Sequence, residues 1–189
     1  MLDFSSVKKI RFLGVGGVSM SSLARFFLSK GYEVSGTDSV FSDTVVSLIE
    51  EGVRINVGFD PTQIGEVDLA VYSSAVHSSD PELLYLRSSG IPCLERHSFL
   101  PYLSEFFRSV IAIGGTHGKT TVTSMCAVIM KENELDFYAH IGGTSNDLGA
   151  FYYSGDDYLL TEACEYKRSM LSLSPSVAVV LNAEVDHPD

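Results

Sequence analysis

Short apolar runs alternate with segments whose apolar residues recur every three or four positions, and glycine-rich turns stand between them. Lys8 to Leu13 predicts a strand running into the turn Gly14-Val-Gly-Gly17. From Val18 to Lys30, Met20, Leu23, Ala24, Phe27 and Leu28 share one helical face, and Gly31 is placed to end that helix in a left-handed cap. Residues 32–36 predict a second strand, 43–51 a helix and 53–57 a strand, with a loop opening at Asp60-Pro61. Residues 67–72 predict a strand, a helix runs from Pro81 to about Ser89, and 91–94 predict a short strand. A helix over 97–107 leads to a strand at 109–113, where the glycine-turn cycle restarts and a second helix follows. Further strands are expected at 137–141, 158–161 and 177–181. This alternation predicts an α/β fold: a Rossmann-like N-terminal domain with a parallel sheet, residues 1–107, followed by the first part of a P-loop-type α/β domain, residues 108–189.

Composition narrows the class. The chain has 189 residues, of which 45% are hydrophobic, and a mean hydropathy of +0.16, enough apolar content for a sizeable core. The formal net charge of −11 offers no basic face for a phosphate backbone, so no nucleic-acid partner is expected. An anion site built from backbone amides is compatible with that charge, because its field is local. Cys93, Cys126 and Cys164 form no C-x-x-C pair and lie in apolar surroundings, which predicts buried structural thiols in a reducing compartment. The N-terminus lacks the charged start and apolar stretch of a signal peptide, and no run of about 18 apolar residues would span a membrane. A cytoplasmic protein without membrane contact is expected.

The candidate chemistry sits at the glycine turns. Ile113-Gly-Gly-Thr-His-Gly-Lys-Thr-Thr121 lies between a strand and a helix, the layout of a phosphate-binding loop. Backbone N–H groups of Gly115, Thr116, His117, Gly118, Lys119, Thr120 and Thr121 would face the phosphates of a nucleotide. Lys119 would reach the β- and γ-phosphates, and the Thr120 hydroxyl would hold Mg²⁺. The general motif has glycine where this chain has Ile113, so the loop is the shorter form. His117 reads as a loop-shaping residue and not a base. The first turn, Gly14, Gly16 and Gly17, followed by Asp38 after the second strand, matches a dinucleotide-type fingerprint, except that Ser19 holds the third glycine position. Glycines needed only for backbone geometry are the alternative reading there. Ser73 and Ser74, and then Arg96 and His97, follow strands at the edge where open α/β sheets bind ligands; ordinary turn serines are the alternative for the first two and a plain helix-start residue for His97. The strand at 158–161 delivers Glu162, and the one at 177–181 delivers Asn182, Glu184, Asp186 and His187.

Together, Gly-Thr-His-Gly-Lys-Thr-Thr, Thr161-Glu-Ala-Cys-Glu-Tyr166 and Asn182-Ala-Glu-Val-Asp-His-Pro-Asp189 resemble the Mur ligases, the ATP-dependent amide ligases of bacterial peptidoglycan synthesis. The histidine form of the ATP loop, with Phe12 to Met20 and Val34 to Asp38, is most similar to the member that uses L-alanine. The resemblance implies that the first domain binds UDP-N-acetylmuramate, with Gly14, Gly16 and Gly17 at the diphosphate and Asp38, Ser73, Ser74 and His97 nearby. It implies that Lys119, Glu162 and His187 are catalytic, with Thr120, Glu162 and His187 holding Mg²⁺. Cys164 stands where many members have aspartate. Glu165, Lys167 and Arg168 are either substrate contacts or surface residues. The expected reaction joins L-alanine to the sugar nucleotide through an acyl phosphate at the expense of ATP. Alternatives are a tripeptide ligase acting on the same nucleotide sugar and a nucleotide-binding module without catalysis; an NAD-dependent oxidoreductase would have no use for a magnesium–phosphate clamp. Members of the family are more than twice this long, so the chain is expected to be an N-terminal fragment without the C-terminal domain, inactive alone.

Overall fold

A computed structural model describes residues 4–143, 148–149, 151–163, 171 and 173–184. Contacts divide the chain into units of residues 1–99 and 100–189.

In the first unit, β1 (Lys9–Leu13), α1 (Val18–Ser29), β2 (Glu33–Asp38), α2 (Asp43–Glu50), β3 (Arg54–Val57), β4 (Leu69–Tyr72), α3 (Pro81–Ser88) and β5 (Cys93–Glu95) follow one another. The sheet order is β3-β2-β1-β4-β5, and every pairing is parallel. The chain therefore winds outward from β1 and then returns to its other side. That reversal between β1 and β4 opens a crevice at the C-terminal ends of the strands.

Local sequence fixes the helix ends. Gly31 takes φ +82°, which lets Tyr32 N–H reach back to the Phe27 carbonyl at 3.0 Å and closes α1. Asp80 caps α3 by accepting from Glu82 N–H at 2.9 Å and Leu83 N–H at 3.0 Å, with Pro81 in the first turn. The fully buried Phe27 ring anchors α1, meeting Phe26 and Tyr32 edge-on with centroids 5.1 Å away in each case. Where a loop is expected after Asp60, the carboxylate accepts from Thr62 N–H at 2.9 Å and winds Pro61–Gln63 into a 3₁₀ turn.

The helix α4 (Arg96–Ser104) contains the division between the units. It ends earlier than its pattern predicts. Residues 105–107 tighten into successive i→i−3 hydrogen bonds of 3.2 Å.

The second unit contains β6 (Ser109–Gly114), α5 (Lys119–Glu132), β7 (Phe137–His140), β8 (Tyr152–Tyr153), β9 (Tyr158–Ala163) and β10 (Val177–Val180). Its sheet order is β10-β6-β9-β7-β8; β8 alone is antiparallel to its neighbour. Ile113, Ala127, Met130, Phe137, Ala139 and Leu160 form the core between α5 and the sheet. The two-residue β8 is too short to leave a periodic signal in the sequence. Cys93 and Cys126 are free thiols but only half-buried, not enclosed as expected; Cys164 lies outside the described residues. Among those residues, no helix is long and apolar enough to cross a membrane.

Candidate functional site

The first glycine turn is shaped by contacts across the sheet. Gly14 adopts φ +74°, and Gly14 and Val15 N–H both donate to the Thr37 carbonyl, at 2.8 and 3.0 Å. Gly16 N–H donates to Asp38 Oδ2 at 2.7 Å. A Cβ at Gly16 would stand 2.9 Å from that oxygen, so the close approach requires glycine. Asp38, the last residue of β2, thus braces the turn, while its other oxygen accepts from Val40 N–H at 3.1 Å.

A cavity of about 540 Å³ opens beside the turn, with Gly14, Gly17, Thr37, Asp38, Ser73 and Phe59 among its walls. Ser39, His77, Asp80 and Glu82 also line it. Among its described lining residues there is no lysine or arginine, and three are carboxylates. Glu82 is held by Arg11 Nε at 2.5 Å and by the Thr37 hydroxyl at 2.6 Å. Of the expected residues, Gly16, Ser74 and His97 lie outside this lining. Ser74 is exposed, and His97 Nδ1 lies 3.3 Å from Glu95 Oε1. Arg96 is the basic side chain near the turn, with Nη1 3.4 Å from Ser19 Oγ in the first turn of α1. Phe59 and His77 carry no motif, but both follow strands at the edge that singled out the serines. Glu82 is hidden from sequence reading because it sits inside a helix.

The second glycine turn leaves β6 and enters α5. Gly115 and Gly118 take φ +145° and +83°, backbone that side-chain-bearing residues rarely adopt. Lys119 Nζ folds back to the Gly115 carbonyl at 2.5 Å and the Thr116 carbonyl at 3.3 Å. The strand β9 runs on to Ala163, so Glu162 lies within it, in register with Ile113 of β6. Glu162 Oε1 accepts from Gly142 N–H at 3.0 Å. A Cβ at Gly143 would come 2.9 Å from Thr120 Cγ2. The Gly142-Gly143 backbone therefore lies against the Glu162 carboxylate and the Thr120 methyl group, and Glu162 and Thr120 each carry a hard oxygen donor. That donor set fits a small divalent cation such as Mg²⁺. His187, Glu165, Lys167 and Arg168 lie outside the described residues.

Immediately after β10, Asn182 Oδ1 accepts from His117 N–H and Nδ2 donates to the His117 carbonyl, both at 3.0 Å. Leu181 N–H donates to the Gly114 carbonyl at 2.9 Å. Glu184 N–H donates to Thr116 Oγ1 at 3.1 Å.

Known protein families match the chain in two regions. Residues 9–108 match the Mur ligase family catalytic domain, and residues 113–189 match the Mur ligase middle domain. The chain belongs to the Mur ligase family. It is 42% identical over 190 residues to the UDP-N-acetylmuramate–L-alanine ligase of Acetivibrio thermocellus, covering 100% of this chain. It is 43% identical over 184 residues to that of Clostridium tetani, covering 97%. In each case it spans 40% of the relative's length. Among solved structures, the Thermotoga maritima UDP-N-acetylmuramate–alanine ligase superposes with a TM-score of 0.87 at 28% identity, covering 95% of this chain and 42% of that one. The UDP-N-acetylmuramate:L-alanyl-γ-D-glutamyl-meso-diaminopimelate ligase of Neisseria meningitidis gives 0.81 at 26% identity, covering 97% and 63%. The two glycine turns thus sit one in each matched Mur ligase region.

Proposed function

We infer that this chain carries the sugar-nucleotide and ATP sites of a ligase that joins L-alanine to UDP-N-acetylmuramate in peptidoglycan synthesis. Residues 1–107 take the sugar nucleotide and residues 108–189 take ATP. The observation that carries the reading is the pairing of two different glycine turns, one at the crevice of a parallel sheet and one in the strand–loop–Gly-Lys-Thr–helix arrangement beside Glu162. Identity of 42% to named L-alanine ligases supports the choice of amino acid.

In the first unit the diphosphate lies over Gly14 and Gly17 at the N-terminus of α1, where helix dipole and backbone N–H groups favour an anion. Arg96, anchored beside Ser19, adds positive charge there. Asp38 holds the turn, and Ser73 supplies a hydroxyl at the end of β4. The acidic cavity suits the N–H and O–H donors of a nucleoside better than its phosphates. Ser74 and His97 flank that edge for the sugar end of the molecule.

In the second unit the phosphate chain of ATP lies along Gly115 to Thr121, except that the His117 N–H, expected to face it, is given to Asn182 Oδ1 instead. Lys119 exchanges its contacts with the Gly115 and Thr116 carbonyls for phosphate oxygens. Bringing a substrate carboxylate to a γ-phosphate sets two anions against each other, so catalysis rests on concentrated positive charge at the transfer point. The carboxylate oxygen attacks the γ-phosphorus and ADP leaves, giving an acyl phosphate. The alanine amine then attacks the acyl carbon, loses a proton, and expels inorganic phosphate. Thr120 and Glu162 would hold Mg²⁺, with His187 as the family's third candidate. That ion supplies charge neutralisation at the phosphates when bound.

Calorimetric titration of the chain with UDP-N-acetylmuramate, and separately with Mg-ATP, tests the reading. Binding of both is expected. Stabilisation of the folded chain by NAD, with no response to the sugar nucleotide, would overturn it.

A further inference from the structure

The short segment after β10 does more than end a strand. Its Leu181 hydrogen-bonds Gly114 at the end of β6, and its Asn182 and Glu184 hydrogen-bond His117 and Thr116 in the phosphate loop. The Asn182 side chain is the centre of this strap. Its amide imitates a neighbouring strand, accepting from the N–H and donating to the carbonyl of one residue, His117, at 3.0 Å each. Both peptide units flanking His117 are thereby fixed in direction. The His117 N–H is turned outward to Asn182, and the chain then enters α5 through the left-handed Gly118. The first turn of α5 follows directly, and its leading N–H groups have no partner further back in the helix. The fit is close: a Cβ at Gly115 would meet Leu181 Cβ at 3.1 Å and the Asn182 backbone nitrogen at 3.4 Å. Glycine at 115 admits the strap as well as the turn.

We propose that Asn182 is a positioning residue for nucleotide binding: it holds the phosphate loop in its anion-accepting shape before ATP arrives. The inference rests on the reading of residues 115–121 as an ATP loop. A loop that must order itself on binding loses affinity by the cost of that ordering, whereas a pre-set loop does not. The Asn182 amide is taken up by the His117 backbone within the second unit, so its effect is expected there and not at the first glycine turn. The amide is required in both senses. Aspartate at 182 can still accept from His117 N–H but cannot donate to the carbonyl, and it adds a negative charge beside a phosphate site.

The test is Mg-ATP titration of the full chain as wild type, Asn182→Ala and Asn182→Asp, with UDP-N-acetylmuramate titrated in parallel and each thermal midpoint recorded. Two hydrogen bonds of ordinary net strength set the scale at roughly tenfold or somewhat more in Kd. Asn182→Ala should weaken Mg-ATP by about that factor, leaving sugar-nucleotide affinity and the midpoint close to wild type. Asn182→Asp should fail to restore wild-type affinity. Equal Mg-ATP affinity in wild type and Asn182→Ala would overturn the inference while leaving the proposed function standing. A parallel loss of midpoint and of both ligands would also overturn it, marking Asn182 as a general structural residue. A wild-type chain that binds the sugar nucleotide but no Mg-ATP would remove the ATP-loop reading and this inference with it.

Discussion

Replacing Glu82 by leucine isolates a charge beneath the first cavity. Arg11 in β1 and Glu82 in α3 have side chains only 1% and 4% exposed, with Nε and Oε1 2.5 Å apart. Glu82 also takes the Thr37 hydroxyl at 2.6 Å, and Arg11 Nη1 lies 3.4 Å from Ser35 Oγ. Unit charges 4 Å apart attract by about 4 kcal/mol at an effective dielectric near 20. The cost of desolvating both ions cancels much of that, so the pair itself adds little net stability. Removing one partner is different, because the other charge stays buried. Glu82→Leu should cost about 3–5 kcal/mol, and Thr37 loses an acceptor as well. In a unit of about 100 residues, each kcal/mol moves the midpoint by roughly 4–8 °C, so the first unit should melt at least ~12 °C lower. The double variant Arg11→Met/Glu82→Leu should recover most of this loss, to within about 1 kcal/mol of wild type. The chain has no tryptophan, so far-UV circular dichroism through urea and thermal unfolding is the suitable assay. A Glu82→Leu loss below about 1 kcal/mol, or no recovery in the double variant, would refute the buried-pair argument.

Further outcomes follow from single positions. Gly118→Ala meets nothing nearer than Leu181 Cδ1 at 3.6 Å, so its cost is backbone strain at φ +83°; about 1–2 kcal/mol is expected, read as roughly tenfold weaker Mg-ATP binding, and unchanged binding would contradict it. The Asp68 carboxyl is held below its ordinary value by the N–H groups of Lys8 and Lys9, at 2.8 and 2.9 Å. Its contribution is therefore present above about pH 4 and fades as pH falls through the lowered folded value. Asp68→Asn should be less stable than wild type at pH 7 and show a shallower acid limb; identical acid profiles would reject this. Burial pushes the Cys93 thiol up, with Arg87 opposing only in part. In a Cys126→Ser/Cys164→Ser background, iodoacetamide at pH 8 should therefore modify Cys93 more slowly than a small free thiol; an equal rate would count against it.

The order of elements and the family were legible in the chain because both are written locally. A strand, a glycine turn and a helix with apolar residues on one face occupy neighbouring positions. The glycines mark places where backbone geometry excludes other residues, as at Gly14, Gly31 and Gly118. Lys119 and Thr120 follow the second turn directly, so their association with it needed no tertiary information. Smaller features escaped. The strand β8 has two residues and no period, and the 3₁₀ turn at Pro61 depends on one carboxylate folding back on its own chain.

What the sequence by itself determined is thus the local grammar: the fold class, the two glycine turns, and the residues adjacent to them. Only the tertiary structure decided which distant segments meet. Parallel pairing set Glu162 in register with Ile113 and brought the end of β10 alongside β6, which is how Asn182 reaches His117 across 65 positions of sequence. The same winding placed Glu82 of α3 against Arg11 of β1, 71 positions away, in the wall of the cavity. Neither partner carries a local signal, because a buried hydrogen bond depends on distance in space and leaves no periodicity along the chain.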